Sequence, residues 1–189
     1  MKIERIQGGS SDSLDTSQSK YFQKAFKKGM KIIKDVQGLI VDPFARNCMW
    51  GDVRNDLNTN TKAQYHMEAK EFMKMVLENH GQGSMKCLLF DPPFSSRQLE
   101  KYKKTSKEEI LNIYSTPGYI PEFFSIVEKL LAPGGIIIKL GYNTSRPLPY
   151  LELVEIVIVN FGGNRNDVIC SIWRNPNQNL NDWLKEERE

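Results

Sequence analysis

Met85-Lys86-Cys87-Leu88-Leu89-Phe90-Asp91-Pro92-Pro93-Phe94 joins an apolar run to an acid, two rigid residues and an aromatic ring. The run reads as a buried strand. Where it ends, the Pro-Pro pair limits backbone freedom. The acid and the ring are therefore held on a stiff support. The acid can accept from an N–H, and the ring can stack on a base. That combination suits a planar, amine-bearing ring; taken alone it is also a common turn after a strand.

Working outward, Gly38-Leu39-Ile40-Val41 is a short apolar strand ending at Asp42-Pro43. Asp52-Val53-Arg54-Asn55-Asp56 is a weaker one. From Glu68 to Asn79, Ala69, Phe72, Met73, Val76 and Leu77 fall on one helical face. Gly81 and Gly83 end that helix. After the quoted stretch, Pro121 opens a second helical pattern through Leu131. Ala132-Pro133-Gly134-Gly135 stops it, and Ile136 to Leu140 is again a strand. Leu153 to Phe161 is β-branched, and Gly162-Gly163 turns it into a hairpin partner over Val168 to Trp173. Residues 20–34 set Tyr21, Phe22, Phe26, Met30 and Ile33 among lysines, and Gly29 predicts a short helix or two. Residues 1–19 read as a polar arm, and about 95–118 as a basic insertion with a helix near Ser106 to Tyr114.

Apolar strands separated by helices predict one α/β domain over residues 1–189. Its sheet should be mostly parallel, with a C-terminal antiparallel hairpin as an edge pair. The gap from Asp42 to Asp56 is too short for a full crossover helix, so that helix should be shortened or absent. In such sheets ligands sit beyond the carboxyl ends of the strands. Asp42, Asp56, Asp91 and the segment from Gly141 to Asn143 should converge there.

Composition narrows the classes. Hydrophobic residues make up 40% and charged residues 26% of the chain, as in ordinary globular proteins. No run approaches transmembrane length and no apolar leader opens the chain, so no membrane partner is expected. The three cysteines lack CxxC spacing and read as reduced thiols in a cytoplasmic protein. With two histidines and scattered cysteines, no metal site is expected. The net charge is +3, and two basic clusters stand out. One comprises Lys24, Lys27, Lys28, Lys31 and Lys34. The other comprises Arg97, Lys101, Lys103, Lys104 and Lys107, with Tyr102 and Tyr114 interleaved. Either could meet phosphates or simply keep a face soluble.

With these residues in place, the chain resembles the S-adenosylmethionine-dependent amino-methyltransferases of DNA, in particular the small adenine-N6 members of phages and prophages. Asp91-Pro92-Pro93-Phe94 matches the family's (Asp/Asn)-Pro-Pro-aromatic motif. Val41-Asp42-Pro43-Phe44-Ala45 resembles the start of its Asp-Pro-Phe-x-Gly-x-Gly cofactor motif. Asn55-Asp56-Leu57-Asn58 stands in the place of the second cofactor motif, and Glu68-Ala69 resembles an acidic element near the adenine. Leu131-Ala132-Pro133-Gly134-Gly135 is similar to the segment before the fifth strand. One departure matters: Arg46, Asn47 and Cys48 stand where the family has glycines that let the backbone approach the cofactor.

The resemblance implies a Rossmann-like class I methyltransferase sheet and S-adenosylmethionine as cofactor. It implies methyl transfer to adenine N6 in DNA, with Asp91, Pro92, Pro93 and Phe94 at the reacting amine. Asp42, Pro43, Phe44, Ala45, Asp56, Leu57 and Glu68 would serve the cofactor. Arg97, Lys101, Lys103, Lys104, Lys107 and Asn143 would serve the nucleic acid. The substrate is DNA, either single-stranded or duplex with a flipped base, and a homodimer would extend the recognised site. Three alternatives stay open on the same residues: an RNA amino-methyltransferase, cytosine N4 as target, and a non-catalytic nucleic-acid-binding relative.

Overall fold

The computed structural model describes residues 1–7, 20–93, 116–160 and 167–176. Chain order is β1 (Lys2–Gln7), α1 (Lys20–Ile32), β2 (Leu39–Asp42), β3 (Val53–Arg54), α2 (Ala69–His80), β4 (Met85–Phe90), α3 (Tyr119–Leu130), β5 (Leu131–Gly141), β6 (Glu152–Asn160) and β7 (Val168–Arg174). The strands form a seven-stranded sheet in the order β1-β6-β7-β5-β4-β2-β3. β2, β3, β4 and β5 run parallel, while β7 is antiparallel to both β5 and β6. The result is a mixed α/β sheet with both parallel and antiparallel pairs. No helix lies between β2 and β3, as the short gap predicts.

Two expectations need correction. Residues 2–7 do not belong to a polar arm: they are a strand, paired parallel with β6 from Lys2↔Glu155 to Gln7↔Asn160. The hairpin β6–β7 consequently lies inside the sheet and not at its edge. The arm's residues 8–19 lie outside the described residues. The third difference is smaller. Lys20–Ile32 is one helix despite Gly29. A Cβ at Gly29 would lie 2.8 Å from Ile136 Cδ1 and from Ile138 Cδ1, so glycine lets α1 press directly on β5. Close packing here outweighs the helix propensity that glycine loses.

The sheet separates two apolar clusters. On one face α2 and α3 cover Val41, Leu88, Phe90 and Ile137 with Phe72, Met73, Phe123 and Val127. On the other face α1 and the turn after it set Phe22, Ala25 and Ile33 against Ile40, Cys87, Leu89, Ile136 and Ile138. Full burial of such side chains contributes about 1.5–3 kcal/mol each relative to exposure. Trp50, from the loop after β2, stacks on Phe26 at 4.6 Å and on Phe22 at 5.3 Å. That loop is thus anchored to α1. The Pro-Gly-Gly segment forms an irregularity in β5: Met85 pairs with Leu131, whereas Cys87 pairs with Ile136. Ion pairs fasten β1: Lys24 and Lys28 both meet Glu4, and Lys28 also meets Glu155.

Candidate functional site

β2 and β4 are neighbours; β2 ends in Asp42 and Asp91 directly follows β4, both at the carboxyl edge of the sheet. Asp42 closes β2 and is only 4% exposed. Its Oδ1 accepts from the Phe44 N–H at 3.1 Å, an Asx turn that starts the following loop. The loop returns tightly: a Cβ at Gly51 would lie 3.1 Å from Asp42 Cβ. Burial, opposed by the Phe44 hydrogen bond and reinforced by Asp91 and Asp56, pushes the Asp42 carboxyl up to about 8. Asp42 is therefore largely protonated at neutral pH.

Asp56 follows β3 and is buried. Its Oδ1 accepts from Asn58 N at 2.9 Å and its Oδ2 from Arg46 N at 3.1 Å. Burial raises its carboxyl above the usual range, against those two hydrogen bonds and the nearby Arg46 and His66. His66 Nδ1 lies 3.1 Å from the Asp56 carbonyl oxygen. Arg46 has φ 49°, the left-handed region that a glycine in this place would enter without strain. The loop thus keeps the backbone shape of a glycine while carrying a guanidinium.

Asn55 staples these loops together. Its Nδ2 donates to Met67 O at 2.9 Å and to Pro43 O at 3.2 Å, and its Oδ1 accepts from Met67 N at 3.0 Å. In the sequence Asn55 reads as part of a weak strand and of the segment in the place of the second cofactor motif, with no role of its own. A buried asparagine must satisfy its amide, and here it does so by joining the segments on both sides of β3.

The remaining candidates are distributed as follows. Asp91 and Pro93 are partly exposed and Pro92 is buried, directly after β4. Pro43 and Ala45 are buried and Leu57 is partly exposed. Phe44 packs edge-on against Phe90 at 5.7 Å, joining the core. Glu68 caps α2, accepting from Lys70 N at 2.9 Å and Glu71 N at 3.2 Å, and it also accepts from the Tyr119 hydroxyl. Its carboxylate therefore ties the start of α2 to the start of α3. Asn143 is exposed in the loop after β5. Phe94, Arg97, Lys101, Lys103, Lys104 and Lys107 lie outside the described residues. Of the other basic cluster, Lys24 and Lys28 are engaged in holding β1.

Sequence reasoning also passed over Lys139, which it counted as part of an apolar strand. It is 6% exposed, and its Nζ reaches Asn143 Oδ1 at 3.2 Å, Ser145 O at 2.9 Å and Ser145 Oγ at 2.5 Å. Burial alone pushes its ammonium down to about 8. The available signal was a lysine inside the run Ile136 to Leu140, because a buried cation requires acceptors.

Among the described residues, no group of His, Cys, Asp and Glu is placed to hold a metal ion, and no helix is long and apolar enough to cross a membrane. No protein-family model and no curated protein matches the chain. Among solved structures, a putative methyltransferase yhhF from Escherichia coli is 13% identical, with 88% of this chain and 90% of that chain covered and a TM-score of 0.49. At that identity and score the likeness carries no assignment of activity or of site residues.

Proposed function

We propose that this chain transfers a methyl group from S-adenosylmethionine to an exocyclic amino nitrogen of a nucleic acid, with adenine N6 in DNA as the target. One observation carries the reading. Asp91-Pro92-Pro93 follows β4, an interior strand of the sheet, beside Asp42 at the end of the adjacent β2. An amine acceptor and a cofactor-side acid thus come from neighbouring strands.

The residues present suit that cofactor. An edge where burial and neighbouring acids raise the Asp42 carboxyl gains from a cationic ligand, because a cation favours the ionised form. A sulfonium and an α-ammonium are both cations. Asp56 accepts one loop N–H at each oxygen, which leaves further lone pairs for the two ribose hydroxyls. Asp42 lies on the methionine side of this arrangement. When bound, S-adenosylmethionine supplies the electrophilic methyl.

The chain's own residues solve the amine's problem. The lone pair of an exocyclic amine is delocalised into its ring. Asp91 accepts one N–H and the Pro92 carbonyl accepts the other, which turns the lone pair toward the methyl. The same acceptors would stabilise the positive charge that the nitrogen gains as it takes the methyl group. The proton then leaves the nitrogen to Asp91 or to water. Phe94 stacks on the extruded base, at about 1–3 kcal/mol by comparison with other such contacts. The basic run from Arg97 to Lys107 holds phosphates, giving affinity and salt dependence with little base identity.

The test is methyl transfer from labelled cofactor to unmodified DNA and RNA, with nucleoside mass analysis. N6-methyladenine in DNA, erased by Asp91→Ala, supports the reading in full. Label in RNA alone moves the substrate. A second reading, a non-catalytic nucleic-acid-binding relative, draws on Arg46 at φ 49° in place of a glycine. Retained DNA binding with no calorimetric binding of S-adenosylmethionine would select it.

A further inference from the structure

The loop after β5 is built around one buried cation. In the parallel register of β4 and β5, Lys139 stands opposite Phe90, the residue before Asp91. The loop that follows therefore leaves the sheet beside Asp91-Pro92. All three protons of the Lys139 ammonium have acceptors in that loop, at Asn143 Oδ1, Ser145 O and Ser145 Oγ. Asn143 Oδ1 is also met by Ser145 N at 3.1 Å and by Ser145 Oγ at 2.7 Å.

Chemistry alone settles which way the Asn143 amide points. An ammonium and a backbone N–H can only donate, so the Asn143 atom facing both must be the oxygen. The amide NH2 is then turned away from the clamp, on a residue that is exposed at the carboxyl edge. A second anchor steadies the same loop. Arg146 lies over the Trp173 ring at 5.9 Å and donates to Pro149 O at 2.6 Å. A side chain whose rotamer and amide face are fixed in this way presents two donors at a defined place.

We infer that Lys139 is a positioning residue that fixes Asn143 as a donor to the nucleic acid, where the NH2 group reads a hydrogen-bond acceptor on the nucleotide to be methylated or beside it. The acceptor is a ring nitrogen or a phosphate oxygen. This inference rests on the proposed action on nucleic acid and adds a residue pair to it.

Asn143→Asp tests the inference. The new carboxylate keeps an oxygen toward Lys139, so the clamp survives, while both amide donors are lost. Thr144→Asp adds the same charge to the same loop and leaves the amide in place. Lys139→Met removes the clamp. Binding to a single-stranded oligonucleotide is measured for all four proteins, together with KM, kcat and cofactor affinity in methyl transfer. Asn143→Asp should weaken oligonucleotide binding and raise its KM about tenfold or more, well beyond Thr144→Asp, with cofactor affinity unchanged. Lys139→Met should follow Asn143→Asp in direction. Oligonucleotide binding and KM for Asn143→Asp no worse than for Thr144→Asp overturn the inference while leaving methyl transfer intact. Weakened binding by Asn143→Asp in a protein that transfers no methyl group upholds the donor and removes the enzymatic reading. A wild-type chain that binds no oligonucleotide overturns both. Replacing the target adenine by its 7-deaza analogue, or the flanking phosphates by methylphosphonates, then separates the two acceptors: the analogue that erases the difference between wild type and Asn143→Asp carries the acceptor.

Discussion

Glu4 and Asp42 sit toward opposite ends of the sheet, and their environments drive their carboxyls in opposite directions. At the β1 end, Lys24 and Lys28 meet Glu4 and Glu155, and the hydrogen bonds from the two lysines hold the Glu4 carboxyl down at about 2. At the carboxyl edge of β2 and β4, burial and neighbouring acids push Asp42 up to about 8. The first group is satisfied by the chain itself and fastens a strand. The second is costly for the chain to ionise, and that cost is the usual mark of a place kept for a ligand. The comparison gives Glu4 and Glu155 a structural task and supports the proposed ligand-facing task for Asp42.

Asp91→Ala should break the comparison most visibly. Methyl transfer should fall by at least about a thousandfold, as when a group acting on the reacting atoms is removed. Thermal unfolding should shift little. Unfolding of the variant at ordinary temperature would make Asp91 structural and dissolve the contrast. Lys28→Met at the other end should do the reverse. It leaves Glu155 buried without its ammonium, and should cost about 1–3 kcal/mol in urea unfolding. The linkage sign agrees with that assignment. The depressed Glu4 contributes stability above its ordinary pKa and loses it as the pH falls from about 4.5 to about 2, so part of the wild-type loss in that window should vanish in Lys28→Met.

Asp42→Asn sharpens the contrast by pH. A raised acid binds its proton in the folded state where the unfolded chain has released it. Stability must then fall as the pH rises from about 4 to about 8. Asparagine can still accept the Phe44 N–H through its oxygen. The variant should therefore be flatter across that window and more stable than wild type at pH 8 by about 1 kcal/mol or more. Equal slopes in parallel urea titrations would show that Asp42 ionises freely. The smallest effect belongs to Arg46→Gly. Relief of the left-handed backbone is partly offset by the freer unfolded chain, for a net gain of about 0.5 kcal/mol by chemical denaturation. A rise in cofactor affinity in the same variant would assign the missing glycine a direct role at the site.

Much of the sheet was legible because its signals are local. Apolar runs ended by Asp42-Pro43 and Asp91-Pro92 announce strands that finish at a common edge. The short gap before Asp56 announces a missing helix. What stayed hidden depends on partners distant in sequence. Lys2–Gln7 sets Ile3 and Ile6 three apart among polar residues, off the two-residue spacing of a strand, and only β6 and the α1 lysines make it one. Gly29 argues against a continuous helix until Ile136 and Ile138 are set against it. At the site, the acids were legible by type and position. Their hydrogen bonds were not, so Glu68 as the cap of α2, Asn55 as a staple and Lys139 as a clamp emerge only once the loops are in place. Phe94 and the lysines after it lie outside the described residues, and their roles stand with the proposal.

The place of β1 also bears on how the chain comes together. It precedes the other strands of this sheet in chain order, yet its partner in the sheet is β6, and β6 joins the remainder of the sheet through β7. During synthesis β1 must therefore wait, unpaired, until β6 and β7 have emerged. β2, β4 and β5 can associate before that, and the outer edge closes last. Such long-range pairing slows folding and leaves an apolar edge open in the interval. The charges at Lys2, Glu4 and Arg5 fall within that waiting segment, where they oppose mispairing with another nascent chain.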